Sequence, residues 1–371
     1  VKTLLVTNDF PPRPGGIQQF VHNLALRLPP AEVVVYSSTY EGAGAFDARQ
    51  PFAVVREDTG MLLPTPGVAR RAAEIARAEG CDRVLFGATA PLGLLAHGLR
   101  TGAGIERAVG LTHGHEAGWA ALPGSRGMLK RIARGCDVIT YLGEYFHRRL
   151  DPAIGPLTEL RRLAPGVDID DYHPSVDGDE VRKEHGLLDR PVIVCVSRLV
   201  PRKGQDSLVR AMPHVLRKVP DAALLIVSDG PDRGRLERLV REHDVTGSVA
   251  FTGKVPWEEL PRHYAAGDVF AMPCRTRWGG LDVEGLGIVY LEASATGLPV
   301  IGGASGGAPD AVLDGETGYV VSDLTQLVDR LVELLTDTGL ARRMGAAGRA
   351  WVEREWRWDL QAARLRSLLL A

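Results

Sequence analysis

Short apolar runs, each ending in a polar or glycine-rich loop before a helix pattern, confine this 371-residue chain to one broad class of fold. The first run covers residues 3–7. It is followed by Asn8-Asp9, a proline- and glycine-rich stretch through Gly15-Gly16, and then Phe20, Val21, Leu24 and Leu28 at helical spacing. Strand, loop and helix in that order are the repeating unit of a parallel α/β sheet. Further strand patterns fall at 33–36, 54–55, 83–86, 108–111 and 138–141. Proline, glycine and acids interrupt the rhythm between 164 and 180, and it resumes at 191–197, 223–227, 249–252, 269–273 and 300–301. An apolar fraction of 45% is enough to fill two cores. We therefore expect an α/β protein of two doubly wound parallel-sheet domains, 1–167 and 168–354, with a packed junction at the tryptophans Trp351, Trp356 and Trp358.

Ligands of open α/β sheets bind beyond the carboxyl ends of the strands, so residues at those positions are the candidates for chemistry. Asn8 and Asp9 follow the first strand, and Gly15-Gly16 either lets backbone approach a phosphate or makes a tight turn. Thr112-His113-Gly114-His115-Glu116 follows the strand ending at Leu111. Its histidines could be ligands, a base or capping groups, and with no third-ligand cluster we expect no metal. After the strand ending at Ser197 come Arg198, Arg202, Lys203 and Gly204, a set of cations fit to clamp a phosphate at a helix start. Gly253-Lys254-Val255 offers backbone to a nucleobase edge or is an ordinary turn.

The stretch from Arg275 to Gly303 is the most informative. It starts polar and glycine-rich, becomes a helix pattern, turns at Gly297-Leu298-Pro299 and opens a strand. Glu284 and Glu292 stand eight residues apart, about 12 Å along a helix axis, too far to share a proton but suited to the two ends of an extended ligand. Between them the N–H groups of Gly285, Leu286, Gly287 and Ile288 are expected to be the free donors of a helix's first turn, where an anion is favoured.

Several function classes are excluded. The net charge of −2 gives no global field for nucleic acid, although residues 1–165 carry +4 and the remainder −6. Cys81, Cys136, Cys195 and Cys274 are widely spaced and read as reduced core thiols of a cytosolic protein. Nothing resembles a signal peptide, and no apolar run approaches the roughly 18 residues that span a bilayer. No G-x-G-x-x-G or P-loop pattern occurs. Residues 303–307 match G-x-S-x-G, but all ten histidines precede Ser305, against the order of a hydrolase triad. Arg126, Lys130, Arg131 and Arg134, with Met128, Leu129 and Ile132 partly opposite, fit a peripheral-membrane face or a solvated helix equally well.

These motifs together resemble a family 4 retaining glycosyltransferase of the GT-B fold. The likeness runs over the whole chain and rests on the Glu284/Glu292 pair, the SRLVPRKG segment 197–204 and Gly15-Gly16. Longer stretches, NDFPPRPGGIQ (8–18), THGHEAGW (112–119) and RTRWGGLDVEGLGIVYLEA (275–293), look like the actinobacterial PimB-type phosphatidyl-myo-inositol mannoside α-mannosyltransferases. The resemblance implies two facing Rossmann-like domains with the donor in the cleft, and a C-terminal helix, about 355–371, that crosses back to the first domain. It implies GDP-mannose as donor substrate, no cofactor or metal, and phosphatidylinositol monomannoside or a related lipid as acceptor. Location would be cytoplasmic, peripheral at the inner, anionic face of the plasma membrane. By residue, Glu292 would hold the ribose, and Glu284 with the backbone of residues 285–288 the sugar and diphosphate. Arg198 and Lys203, joined by Gly16, would take the phosphates. His113 would lie by the transferred sugar, Lys254 and Val255 would border the base, and Asn8, Asp9, Arg13 and Gln18 would face the acceptor. His113, Arg198, Lys203 and Glu284 would carry catalysis, with retention of configuration and no covalent nucleophile. One departure is Ser228, where many such proteins have glycine in a GDGP-like turn. Rival readings are another nucleotide-sugar donor or a soluble acceptor, a non-catalytic nucleotide-sugar-binding protein, and a GT-B-like epimerase.

Overall fold

Seven strands form the sheet of the first unit, Val1–Pro165 with Trp358–Ala371, in a computed structural model that describes residues 1–371. They are β1 (Thr3–Thr7), β2 (Val33–Ser38), β3 (Ala53–Glu57), β4 (Arg83–Phe86), β5 (Arg107–Gly110), β6 (Val138–Tyr141) and β7 (Glu159–Arg162). All pair in parallel, in the order β3-β2-β1-β4-β5-β6-β7. Helices cover both faces of a parallel sheet, so its central strands must be apolar on alternate and intervening positions alike. β1 and β2 are buried at every residue, through Leu4-Leu5-Val6 and Val33-Val34-Val35-Tyr36, with the small polar Thr3, Thr7, Ser37 and Ser38 at their ends. Each fully buried Leu, Val or Ile adds about 1.5–3 kcal/mol.

The second unit, Gly166–Arg357, repeats the scheme with six strands. These are β8 (Val192–Val196), β9 (Ala223–Val227), β10 (Val249–Gly253), β11 (Val269–Met272), β12 (Val300–Gly303) and β13 (Gly318–Val321), all parallel in the order β10-β9-β8-β11-β12-β13. In each sheet the strand order reverses once, between β1 and β4 and between β8 and β11. The crevice beyond those carboxyl ends is where an open sheet of this kind takes ligand.

The tail departs from its sequence pattern. Helical spacing in the sequence continues unbroken from Trp351 to Leu370, but the chain forms Thr338–Glu355 and then Trp358–Leu370, broken at Trp356-Arg357. Trp356 is 1% exposed and packs edge-on against Trp351 at 5.5 Å, and its carbonyl accepts from the Val167 N–H at 2.8 Å. That anchoring stops the helix. The helix Trp358–Leu370 belongs to the first unit, where Trp358 lies 6.1 Å from Phe20, Arg27 covers its ring and Arg83 Nε donates to the Leu369 carbonyl at 3.0 Å.

Candidate functional site

The loop after β1 is fastened by its own polar residues. The Asn8 amide both donates to the Leu62 carbonyl (3.0 Å) and accepts from the Leu62 N–H (2.6 Å), so this side chain is committed to holding a neighbouring loop. The Asp9 N–H donates to Thr7 Oγ1, and Asp9 Oδ1 accepts from Gln18 Nε2 at 2.7 Å. Gln18 is buried on the helix Gly16–Leu26, whose first residue, Gly16, is exposed. Arg13 is half-buried, with its guanidinium 6.0 Å from the Tyr40 ring.

His113 follows β5 across the same reversal point. Its Nε2 lies 2.5 Å from the Gly87 carbonyl, which follows β4. A carbonyl only accepts, so Nε2 carries the proton and Nδ1 presents its lone pair. Burial holds this imidazole below its ordinary proton affinity, keeping it neutral, while Glu116 and the Gly87 carbonyl oppose that shift. The backbone of the turn is set by Glu116. This wholly buried carboxylate accepts the N–H groups of His113 (3.0 Å) and Gly114 (3.2 Å). Gly114 sits at φ +102°, and a Cβ there would stand 2.8 Å from the Phe146 ring.

In the second unit Arg198, Lys203 and the stretch from Glu284 lie beyond β8 and between β11 and β12, whereas Lys254 and Val255 follow β10. Lys203 closes a short 3-10 turn, Pro201–Lys203, and its Nζ meets Glu284 Oε2 at 2.8 Å. Glu284 is 5% exposed. Arg202 lies 3.6 Å from the same carboxylate and 2.8 Å from Asp282, which also pairs with Arg277 at 3.4 Å. Two glycines allow this approach. A Cβ on Gly204 would fall 2.1 Å from the Pro273 carbonyl, and one on Gly306 would fall 2.0 Å from the Glu284 carbonyl. Ser305 is buried beneath, accepting from Thr276 at 3.1 Å, and so serves as a packing hydroxyl rather than an exposed nucleophile.

Glu284 leads into the helix Ile288–Ala295, entered through Gly287 at φ +76°. The N–H groups of residues 285–288 find no acceptor within the protein. The Arg198 guanidinium is exposed and also has no partner. Four amides, a helix start and an unpaired guanidinium form an edge prepared for an anion.

Glu292, one turn into that helix, has a different setting. It is 4% exposed, and Tyr264 donates to its Oε2 at 2.6 Å. Burial pushes its carboxyl up to about 7, against the pull of the Tyr264 and Tyr172 phenols. Lys254 is exposed and Val255 half-buried; both line a cavity of about 310 Å³ with Glu180, Glu184 and His263. Asp282, Tyr264 and the capping carboxylate of Glu116 are contributors that the sequence does not single out. Asp282 and Glu284 bracket one residue opposite Arg202-Lys203, a pairing of charges that was open to notice. The Tyr264 contact leaves no local trace.

Comparison with known proteins bears on the whole chain. Residues 14–171 match the family model described as Glycosyltransferase Family 4, and residues 177–351 the model described as Glycosyl transferases group 1. The chain is similar to sucrose-phosphate synthase from Thermosynechococcus elongatus, with a TM-score of 0.77 at 23% identity over 99% of this chain and 98% of that one. It is also similar to HepE of Anabaena, with a TM-score of 0.84 at 17% identity over 100% and 99%. Two doubly wound parallel-sheet units with this likeness make the GT-B fold. A GDP-mannose-dependent alpha-(1-6)-phosphatidylinositol monomannoside mannosyltransferase of Mycolicibacterium smegmatis is 49% identical over 373 residues, 99% of this chain and 97% of the relative. A GDP-mannose-dependent monoacylated alpha-(1-6)-phosphatidylinositol monomannoside mannosyltransferase of Corynebacterium glutamicum is 48% identical over 99% and 97%. The chain belongs to the GT-B glycosyltransferases of family 4.

Proposed function

We propose that this protein transfers mannose from GDP-mannose to a phosphatidylinositol monomannoside, with retention of configuration. The reading is carried by one observation: an unpaired guanidinium and four unpaired amides share an edge with the Lys203–Glu284 pair, in a chain whose near-full-length relatives bear that activity. In the free protein Lys203 is neutralised by Glu284. A diphosphate drawn to Arg198 and the helix start competes for Lys203, and Glu284 is then released toward the hydroxyls of the sugar. As the glycosidic bond breaks, negative charge grows on the departing diphosphate, where these fixed donors stabilise it without reorganising. Charge neutralisation by Arg198, Lys203 and the amides makes a metal unnecessary. Glu292 holds the ribose, and Lys254 and Val255 border the base. His113 offers its Nδ1 lone pair to a hydroxyl of the transferred mannose. Asn8, Asp9, Arg13 and Gln18 form the acceptor side, where Asn8 acts by holding Leu62.

No helix is long and apolar enough to cross a membrane. The protein works at the cytoplasmic face of the plasma membrane, held there by its lipid acceptor and by Arg126, Lys130, Arg131 and Arg134 on the helix Pro123–Gly135, beside the exposed Leu122 and Met128. The test is mass analysis of the product after incubation with GDP-mannose and vesicles carrying the monomannoside. The expected product gains one hexose and loses it to an α-1,6-mannosidase; an unchanged lipid alongside free mannose would overturn the assignment.

A further inference from the structure

Ser228 is one of three non-glycine residues with positive φ, at +104°. An L side chain is strained there, whereas glycine adopts the conformation freely. The strain sits at the carboxyl end of β9 and is imposed from both sides. The Ser228 N–H donates to the Gly253 carbonyl at 3.1 Å and lies 3.3 Å from Thr252 Oγ1, binding the residue to the segment that continues into Lys254 and Val255. On the other side the Leu199 N–H donates to the Asp229 carbonyl at 3.1 Å, and a Cβ on Gly230 would lie 2.4 Å from the Leu199 carbonyl. Ser228 is thereby wedged between the Arg198 loop and the Lys254 loop. Its neighbour Asp229 turns its carboxylate to the Gly230 N–H at 2.7 Å. The Ser228 hydroxyl, half-buried, bonds to nothing in the protein. Strain held at a ligand-binding edge for a side chain that does nothing internally points to a bond made outward.

We propose that Ser228 Oγ hydrogen-bonds the nucleoside part of the donor, between the cations that take its phosphates and the residues that border its base. The inference deepens the donor reading given above and rests on it. Two variants separate the hydroxyl from the strain. Ser228→Ala removes the hydroxyl and keeps the strained Cβ, while Ser228→Gly removes both. Calorimetric titration of the full chain with GDP, GMP and mannose 1-phosphate is the assay, with thermal melting alongside. Both variants are expected to bind GDP and GMP about three- to tenfold more weakly than wild type, the loss of one hydrogen bond. Mannose 1-phosphate should bind all three proteins alike. Ser228→Gly should melt above Ser228→Ala because it alone is relieved. If the wild type binds GDP and Ser228→Ala binds GDP and GMP equally well, the hydroxyl has no such role. The same holds if only Ser228→Gly is weakened, which would make the effect one of loop order. If the wild type binds no GDP, the donor reading fails and this inference falls with it.

Discussion

Glu292→Gln probes the burial of an acid that the donor reading places against the ribose. In the free protein burial raises its carboxyl from 4.5 to about 7. At about 1.4 kcal/mol for each pH interval, ionising Glu292 in the folded state therefore costs about 3 kcal/mol more than in the unfolded chain. The sign follows from a raised affinity. Below pH 4.5 both states are protonated and the contribution is fully present. As pH rises from 4.5 through 7 the unfolded chain ionises first, and stability falls by that amount before levelling off. Glutamine is nearly isosteric, can still accept from Tyr264 and does not titrate. Urea unfolding followed by tryptophan fluorescence at pH 5, 6, 7 and 8 would measure both proteins. Every other titrating group is common to them, so the difference between their curves isolates Glu292. The variant should gain on wild type by about 2–3 kcal/mol between pH 5 and 8. A difference that stays constant over that range would mean that Glu292 does not titrate differently in the folded and unfolded chains.

Lys203→Ala should lower kcat/KM at least about a hundredfold while the protein remains folded. It should also cost about 2–3 kcal/mol of stability, because Glu284 stays buried and keeps only Arg202 at 3.6 Å; denaturant unfolding and initial rates measure the two effects. Arg198→Ala offers the contrast, since removing an exposed, unpaired guanidinium should leave the unfolding free energy within the spread of a surface change, about 0.5 kcal/mol. GDP affinity should nevertheless fall about tenfold or more. Gly306→Ala should lose activity, because a Cβ 2.0 Å from the Glu284 carbonyl forces that residue to move; crystallography or GDP titration would detect the shift. Turnover in excess EDTA should equal turnover without it.

The sequence revealed most where one residue's environment was set by its own strand or helix. β1, β8 and β9 are buried on both faces, so apolar content alone marked them. β7, Glu-Leu-Arg-Arg, closes a sheet edge with one apolar residue and carries no such mark. The Glu284/Glu292 spacing was legible, but the difference between the two acids was not. Lys203 lies 81 residues before one and Tyr264 28 residues before the other, and only the sheet brings each pair together. His113 was legible as a strand-end histidine. Its tautomer depends on the Gly87 carbonyl of a neighbouring strand's loop, and its backbone on Glu116, whose capping role the sequence alone does not show. The break at Trp356 escaped for the same reason, since the helical spacing continues through it and only the bond from Val167 shows the stop.

GDP release from GDP-mannose, measured with and without phosphatidylinositol monomannoside in vesicles and with UDP- and ADP-sugars as controls, tests the central claim most directly. Release is expected from GDP-mannose alone among the donors, and only when the lipid is present. Tight GDP binding with no turnover on that lipid would contradict it.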